Sequence, residues 1–204
     1  IPKLLPAAER LKILICEKVS LMRTTMSIEQ ISQSRDFLKI SIPVNIKTSK
    51  GDLTLSEPKM NIKGFADVMS LFTDENLFNA ISRIDNEYKF SKIFAPIESA
   101  LKKANLTTDK IDYVLLIGGS AKNPFIQNAL SEYFFESELL IPADLQAQVS
   151  NGAALHSIIY NGFGKNVIQP ITSEPIMLIS VKDGREVVEP IIAAGTVIPS
   201  DVVT

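Results

Sequence analysis

Hydrophobic positions near the start of the chain recur at helical spacing. Leu4, Ala8, Leu11, Ile15, Val19 and Met22 make one stripe with polar residues between them, and predict a helix over 4–24. From Phe37 the period changes to two. Leu38, Ile40, Ile42, Val44 and Ile46 alternate with Lys39, Ser41 and Asn45, which predicts a strand with one buried face. Thr48-Ser49-Lys50-Gly51-Asp52 is turn chemistry, so Leu53 to Leu55 is expected to return antiparallel. Pro43 cannot donate to a ladder and points to an edge position or a bulge.

Residues 62–104 read as mainly helical, with one stripe at Leu77, Ile81, Ile84 and Tyr88 and another at Phe90, Phe94, Ile97 and Leu101. The run Ile111–Ile117 is apolar enough to be a strand buried on both faces. Gly118 and Gly119 follow it, and Asn123 with Pro124 supplies a cap and a favoured first residue for the next helix. A last helix is expected over about 145–160, with Asp144 as its cap. This order of strands and helices predicts a mixed α/β (α+β) core. Beyond Tyr160 the pattern changes. A glycine-bearing linker over 161–166 leads to two expected strands, Ile176–Val181 and Glu186–Ile192, joined by the turn Lys182-Asp183-Gly184-Arg185. The change places a domain boundary near residue 165.

Composition narrows the function. The chain has 204 residues, a formal net charge of −2 and a pI near 5.5, which argues against a nucleic-acid partner. With one cysteine, Cys16, and one histidine, His156, neither an internal disulfide nor a typical zinc site can be built. A lone cysteine fits a cytoplasmic or other reducing compartment. No apolar run approaches the roughly 18 residues of a membrane helix, so no membrane partner is expected. The sequence opens on Ile1 without a signal-peptide pattern, as an internal piece of a longer protein would.

The glycine pair Gly118-Gly119 is the main chemical candidate, and it has two readings. One is a tight strand-to-helix connection that needs a residue at positive φ. The other is a site where no Cβ keeps a ligand from the backbone near a helix start. Neither a dinucleotide fingerprint nor a Walker motif is present. Glu17 and Lys18 on the first helix read locally as solvated charges. His156 has no nucleophile or carboxylate partner in sequence. Cys16 reads as a small core residue, and Phe125, Tyr133, Phe134 and Phe135 read as packing.

Several stretches together carry a resemblance. "VLLIGGSAKNPFIQNAL", "PIESALKKANLTTDKIDYV", "QVSNGAALHSII", "AERLKILICEKVSLMRT" and "EPIIAAGTVIP" resemble, in the same order, segments of the DnaK-like seventy-kilodalton heat-shock chaperones. The resemblance implies that residues 1–160 are the second lobe of an actin-like ATPase domain. It implies an interdomain linker over 161–170 and the first strands of a peptide-binding β-sandwich over 171–204. The expected function is part of an ATP-dependent chaperone, with client peptides and co-chaperones as partners. The alternative is an interaction module of the same fold whose nucleotide site has decayed. A sugar kinase of the same superfamily would explain the strand, glycines and helix but not the segment after residue 165.

By resemblance, Gly118, Gly119 and Ser120 match the loop beneath adenosine of ATP or ADP, and Glu17 matches a ribose contact. Lys122 stands where an arginine stacks on adenine. Ser20 and Leu21 replace a lysine and, in some members, an arginine, and Gln146 replaces an aspartate. The phosphate loop, catalytic lysine and metal-associated carboxylates of the family are expected upstream. Magnesium would arrive only with the nucleotide, and the chain alone is expected to be inactive as an ATPase. Residues 171–204 offer open strand edges, so self-association is expected there.

Overall fold

A computed structural model describes residues 4–73, 93–168 and 170–198. The stripe Leu77, Ile81, Ile84 and Tyr88, together with Phe90, lies outside the described residues. The chain forms two compact units, Ile1–Gln146 and Ala147–Thr204. The elements are helices and small two-stranded sheets, a mixed α/β fold.

In the first unit, helix α1 spans Leu5–Met22, with a proline in its first turn where φ is already suited to a helix. Its stripe buries Leu11, Ile15, Cys16 and Val19, while Ala8 stays exposed. Helix α2 (Ile28–Ser32) is too short to show in the periodicity. Its signal is the capping box Ser27-Ile28-Glu29-Gln30: Gln30 N–H donates to Ser27 Oγ at 3.4 Å, and Ser27 N–H donates to Gln30 Oε1 at 3.2 Å.

The long strand expected from Phe37 is two strands. Strand β1 (Phe37–Lys39) runs antiparallel to β4 (Lys59–Asn61), with Leu38 opposite Met60. The chain leaves that ladder at Ile40 and crosses Pro43 to begin β2 (Val44–Thr48). Strand β2 pairs with β3 (Gly51–Leu55) in the expected hairpin, Val44 opposite Leu55. The proline ends one ladder and lets the chain enter another. Helix α3 (Ile62–Thr73) follows at once, and Gly64 N–H donates to Asn61 Oδ1 at 2.8 Å. Ile15, Val19, Ile31 and Ile62 are fully buried and pack in one cluster with the buried Phe65 and Phe125, whose rings meet edge to face at 5.9 Å.

A second cluster gathers Phe94, Leu116, Ala129, Leu130, Phe134 and Leu145. It is built by α4 (Phe94–Ala104), β5 (Tyr113–Leu115), α5 (Pro124–Tyr133) and β6 (Glu138–Leu140). Strands β5 and β6 pair in parallel, with Val114 opposite Leu139. Burial of 111–117 on both faces does not hold. Leu116 is buried, but Tyr113, Leu115 and Ile117 are exposed, because only one face of this ladder is covered among the described residues. Phe135 is also exposed rather than packed, at 76%. Tyr133 carries the packing instead, stacked on Phe94 at 4.6 Å and edge-on to Phe134 at 5.0 Å.

In the second unit, helix α6 spans Gln148–Phe163, starting and ending three residues later than expected. Asp144 does not cap it; its Oδ1 accepts from Gln146 N–H at 3.2 Å in the turn ahead. Gly164, at φ 64°, ends the helix in a left-handed cap. Strands β7 (Ile176–Lys182) and β8 (Arg185–Ile192) form an antiparallel hairpin through Asp183 and Gly184, both at positive φ. None of the described residues of this unit is buried. Among the described residues, no helix is long and apolar enough to cross a membrane.

Candidate functional site

The site is built where β5 ends and α5 begins. Gly118 adopts φ 86°, ψ 163°, a region closed to residues with a Cβ. Its N–H donates to Leu145 O at 2.6 Å, which ties the loop to the segment before Gln146. A 3-10 turn over Gly119–Lys122 follows. Asn123 then caps α5: its Oδ1 accepts from Phe125 N–H at 3.0 Å, and Gln127 Nε2 donates to Ala121 O at 2.8 Å. Asn123 is buried, and its Nδ2 lies 3.3 Å from Met69 Sδ on α3. This is a rigid start for a helix, with backbone held by specific bonds on both sides.

The two glycines have different roles. Gly118 is the tight connection, needed for its φ. Gly119 has no positive φ and opens on a cleft of about 1260 Å3. A Cβ built on Gly119 would stand 3.1 Å from Gln146 Nε2, so the missing side chain leaves room that Gln146 already borders. Lys122 Nζ donates to Gln146 Oε1 at 3.2 Å, which fixes the amide with its NH2 end toward Gly119.

The opposite wall comes from α1. Glu17 and Ser20 face the same cleft as Gly119, Ser120 and Lys122, although they lie about a hundred residues earlier. Gly118 shapes the loop behind the wall and does not line the cleft. Met69 and Phe72 of α3 also line it; local sequence does not reveal them, because only packing of α3 beside α1 and α5 brings them there. Cys16, buried at the foot of the cleft, is a core residue, as its place on the α1 stripe implies. Burial, with Glu9 and Glu17 adding to it against the opposing Lys12, pushes its thiol up to about 11. It stays a protonated, unreactive thiol at neutral pH.

Chemically, the cleft offers one glycine-floored wall, a carboxylate on the other, a hydroxyl at Ser120 and an ammonium engaged by Gln146. Among the described residues no group of three or more His, Cys, Asp or Glu is placed to hold a metal ion. The arrangement can take a flat polar ligand against backbone.

The family model described as Hsp70 protein matches residues 4–202. The chain belongs to the Hsp70 family. Among curated relatives, it is 33% identical over 100 residues to a ribosome-associated molecular chaperone of Eremothecium gossypii, covering 47% of this chain and 16% of that protein. It is 37% identical over 73 residues to a DnaK chaperone protein of Synechococcus elongatus, covering 36% of this chain and 11% of that one. It is 33% identical over 95 residues to a heat shock protein homolog of Lachancea kluyveri, covering 47% and 13%. The matched stretches are thus a small part of each relative's length.

An adenine nucleotide fits the Hsp70 cleft in part. At Gly119 the atoms nearest an added Cβ all belong to Gln146, the closest at 3.1 Å, and Glu17 lines the same cleft. The fit is weakest at Lys122. An ammonium bound to Gln146 cannot stack on a base as a planar guanidinium would.

Proposed function

We propose that this chain carries one wall of the nucleotide site of an ATP-dependent chaperone and the start of its peptide-binding part. The observation that carries the proposal is that Glu17, from α1, lines the same cleft as Gly119, Ser120 and Lys122. Glu17 would bind the ribose; Gly119 and Ser120 would lie against the nucleoside; Gly118 would hold the loop in shape; Lys122 would border the base. Phosphoryl transfer needs charge and metal clamps on the phosphates. The assigned residues reach only the nucleoside, so the chain's share is binding rather than hydrolysis. Residues 1–160, 161–170 and 171–204 are assigned to the second lobe, the linker and the first sandwich strands. Client peptides and co-chaperones are the proposed partners of the whole protein, in a cytoplasmic or other reducing compartment that suits the free thiol of Cys16.

A second function, an interaction module with a decayed nucleotide site, is favoured by one observation. Gln146 occupies Lys122 and borders Gly119, where a nucleoside would lie. Backbone amide shifts during titration with ADP separate the two. The proposal expects shifts at Gly118, Gly119 and Ser120 that saturate at millimolar ligand; an unchanged spectrum supports the module.

A further inference from the structure

A second cavity, of about 540 Å3, lies between α2, α3 and α5, away from the glycine loop. Its apolar floor includes Ala66, Met69, Phe125 and Ala129, and its rim carries Glu29 and Glu132. The rim hydroxyls already spend their hydrogens inside their own helices. Ser32 Oγ donates to Glu29 O at 2.7 Å, Ser70 Oγ to Asp67 O at 2.8 Å, and Thr73 Oγ1 to Met69 O at 3.2 Å. Asn128 Nδ2 donates to Glu132 Oε1 at 2.8 Å. What the groove offers outward is therefore mostly acceptor oxygen, with two negative charges.

The charge of the three walls has the same sign. Their helices bear Glu29, Asp67 and Glu132, and the one lysine among them, Lys63, is paired with Asp67 at 2.9 Å. No basic residue is among the described residues lining the groove. The Glu29 carboxyl is held below its ordinary value, first by the Ser27 hydroxyl and then by its own backbone N–H, so it is charged at neutral pH. An apolar floor under an anionic, acceptor-rich rim matches a cation on an apolar stem.

We propose that this groove docks a cationic amphipathic segment of a partner protein, with its apolar side chains on Met69 and Phe125 and an arginine or lysine between Glu29 and Glu132. The volume suits a few inserted side chains, so the contact is a peptide-sized one. The groove shares Met69 with the nucleotide cleft but none of the glycine-loop residues.

The test uses the full 204-residue chain and two synthetic amphipathic peptides identical except for arginine or glutamate on the polar face. Methyl NMR would read Ile28, Ala66 and Ala129. The arginine peptide is expected to shift these methyls, and the glutamate peptide to leave them unchanged. Glu29→Gln with Glu132→Gln should weaken binding about five- to tenfold, as loss of two exposed pairs implies. Glu98→Gln on α4 should leave it unchanged. Equal binding of both peptides, no methyl shift with the arginine peptide, or undiminished affinity of the double variant would each overturn the proposal.

Discussion

The two units of this chain use similar apolar content to opposite effect. In the first, Ile15, Val19, Ile31 and Ile62 are fully buried, because helices α1, α2 and α3 bring their stripes together from three directions. In the second, the hairpin β7–β8 leaves Ile179 67% and Val181 70% exposed, and none of the unit's described residues is buried. Both are regular secondary structure, apart from a register shift between Ile176 and Met177 in the hairpin. The difference is the second layer: an apolar face is stabilising only when the topology supplies something to cover it.

Truncating single side chains tests this difference directly. Ile15→Ala should destabilise the chain by about 3 kcal/mol, the usual cost of emptying a closed core site, read as a lower urea midpoint. Ile179→Ala should change it by less than about 0.5 kcal/mol, as at an open surface. Equal losses at both positions would show that the hairpin is covered after all.

The glycine loop repeats the contrast at the scale of one residue. Gly118→Ala should cost about 1–3 kcal/mol in the urea midpoint, because φ 86° strains any residue with a Cβ. Gly119→Ala should cost less than about 0.5 kcal/mol. Its new Cβ meets only the flexible end of Gln146.

The open hairpin should also associate. Light scattering is expected to show concentration-dependent association of the full chain, lost in a chain ending at Lys165, since free strand edges invite pairing. If both remain monomeric, the exposed strands are inert.

An effect confined to alkaline solution concerns Cys16. Its folded thiol titrates near 11 and its ordinary value is 9.0, so the unfolded chain ionises first as pH rises. Stability from this group is complete below about pH 9 and falls as pH climbs toward about 11. Cys16→Ala should flatten that part of the denaturation profile.

Much of this was legible in the sequence. The stripe of α1, the Asn123-Pro124 start of α5 and the hairpin turns at Gly51 and Gly184 are local rules, and local rules survive folding. The break at Pro43 was visible as a fault in the ladder, yet its consequence, two separate sheets, depends on where Met60 and Leu55 return. The three-residue β6 is too short to show a period. The exposure of Leu115 could not be read, because it is set by neighbours across the sheet rather than by its own run. At the site, Gly118-Gly119 was visible as a pair, but the division of labour between them was not. One needs a backbone angle, and the other needs space beside Gln146. Glu17 was identified by resemblance alone, and α1 packing is what sets it across from the loop.

Calorimetric titration of the chain with ADP tests the nucleotide-wall proposal most directly, run beside Gly119→Arg. The Lys122–Gln146 bond and contacts confined to the nucleoside predict weak binding, with Kd of roughly 1 mM or about −4 kcal/mol, abolished by the arginine. ADP binding of undiminished strength in Gly119→Arg, or no binding at all to the original chain, would contradict it.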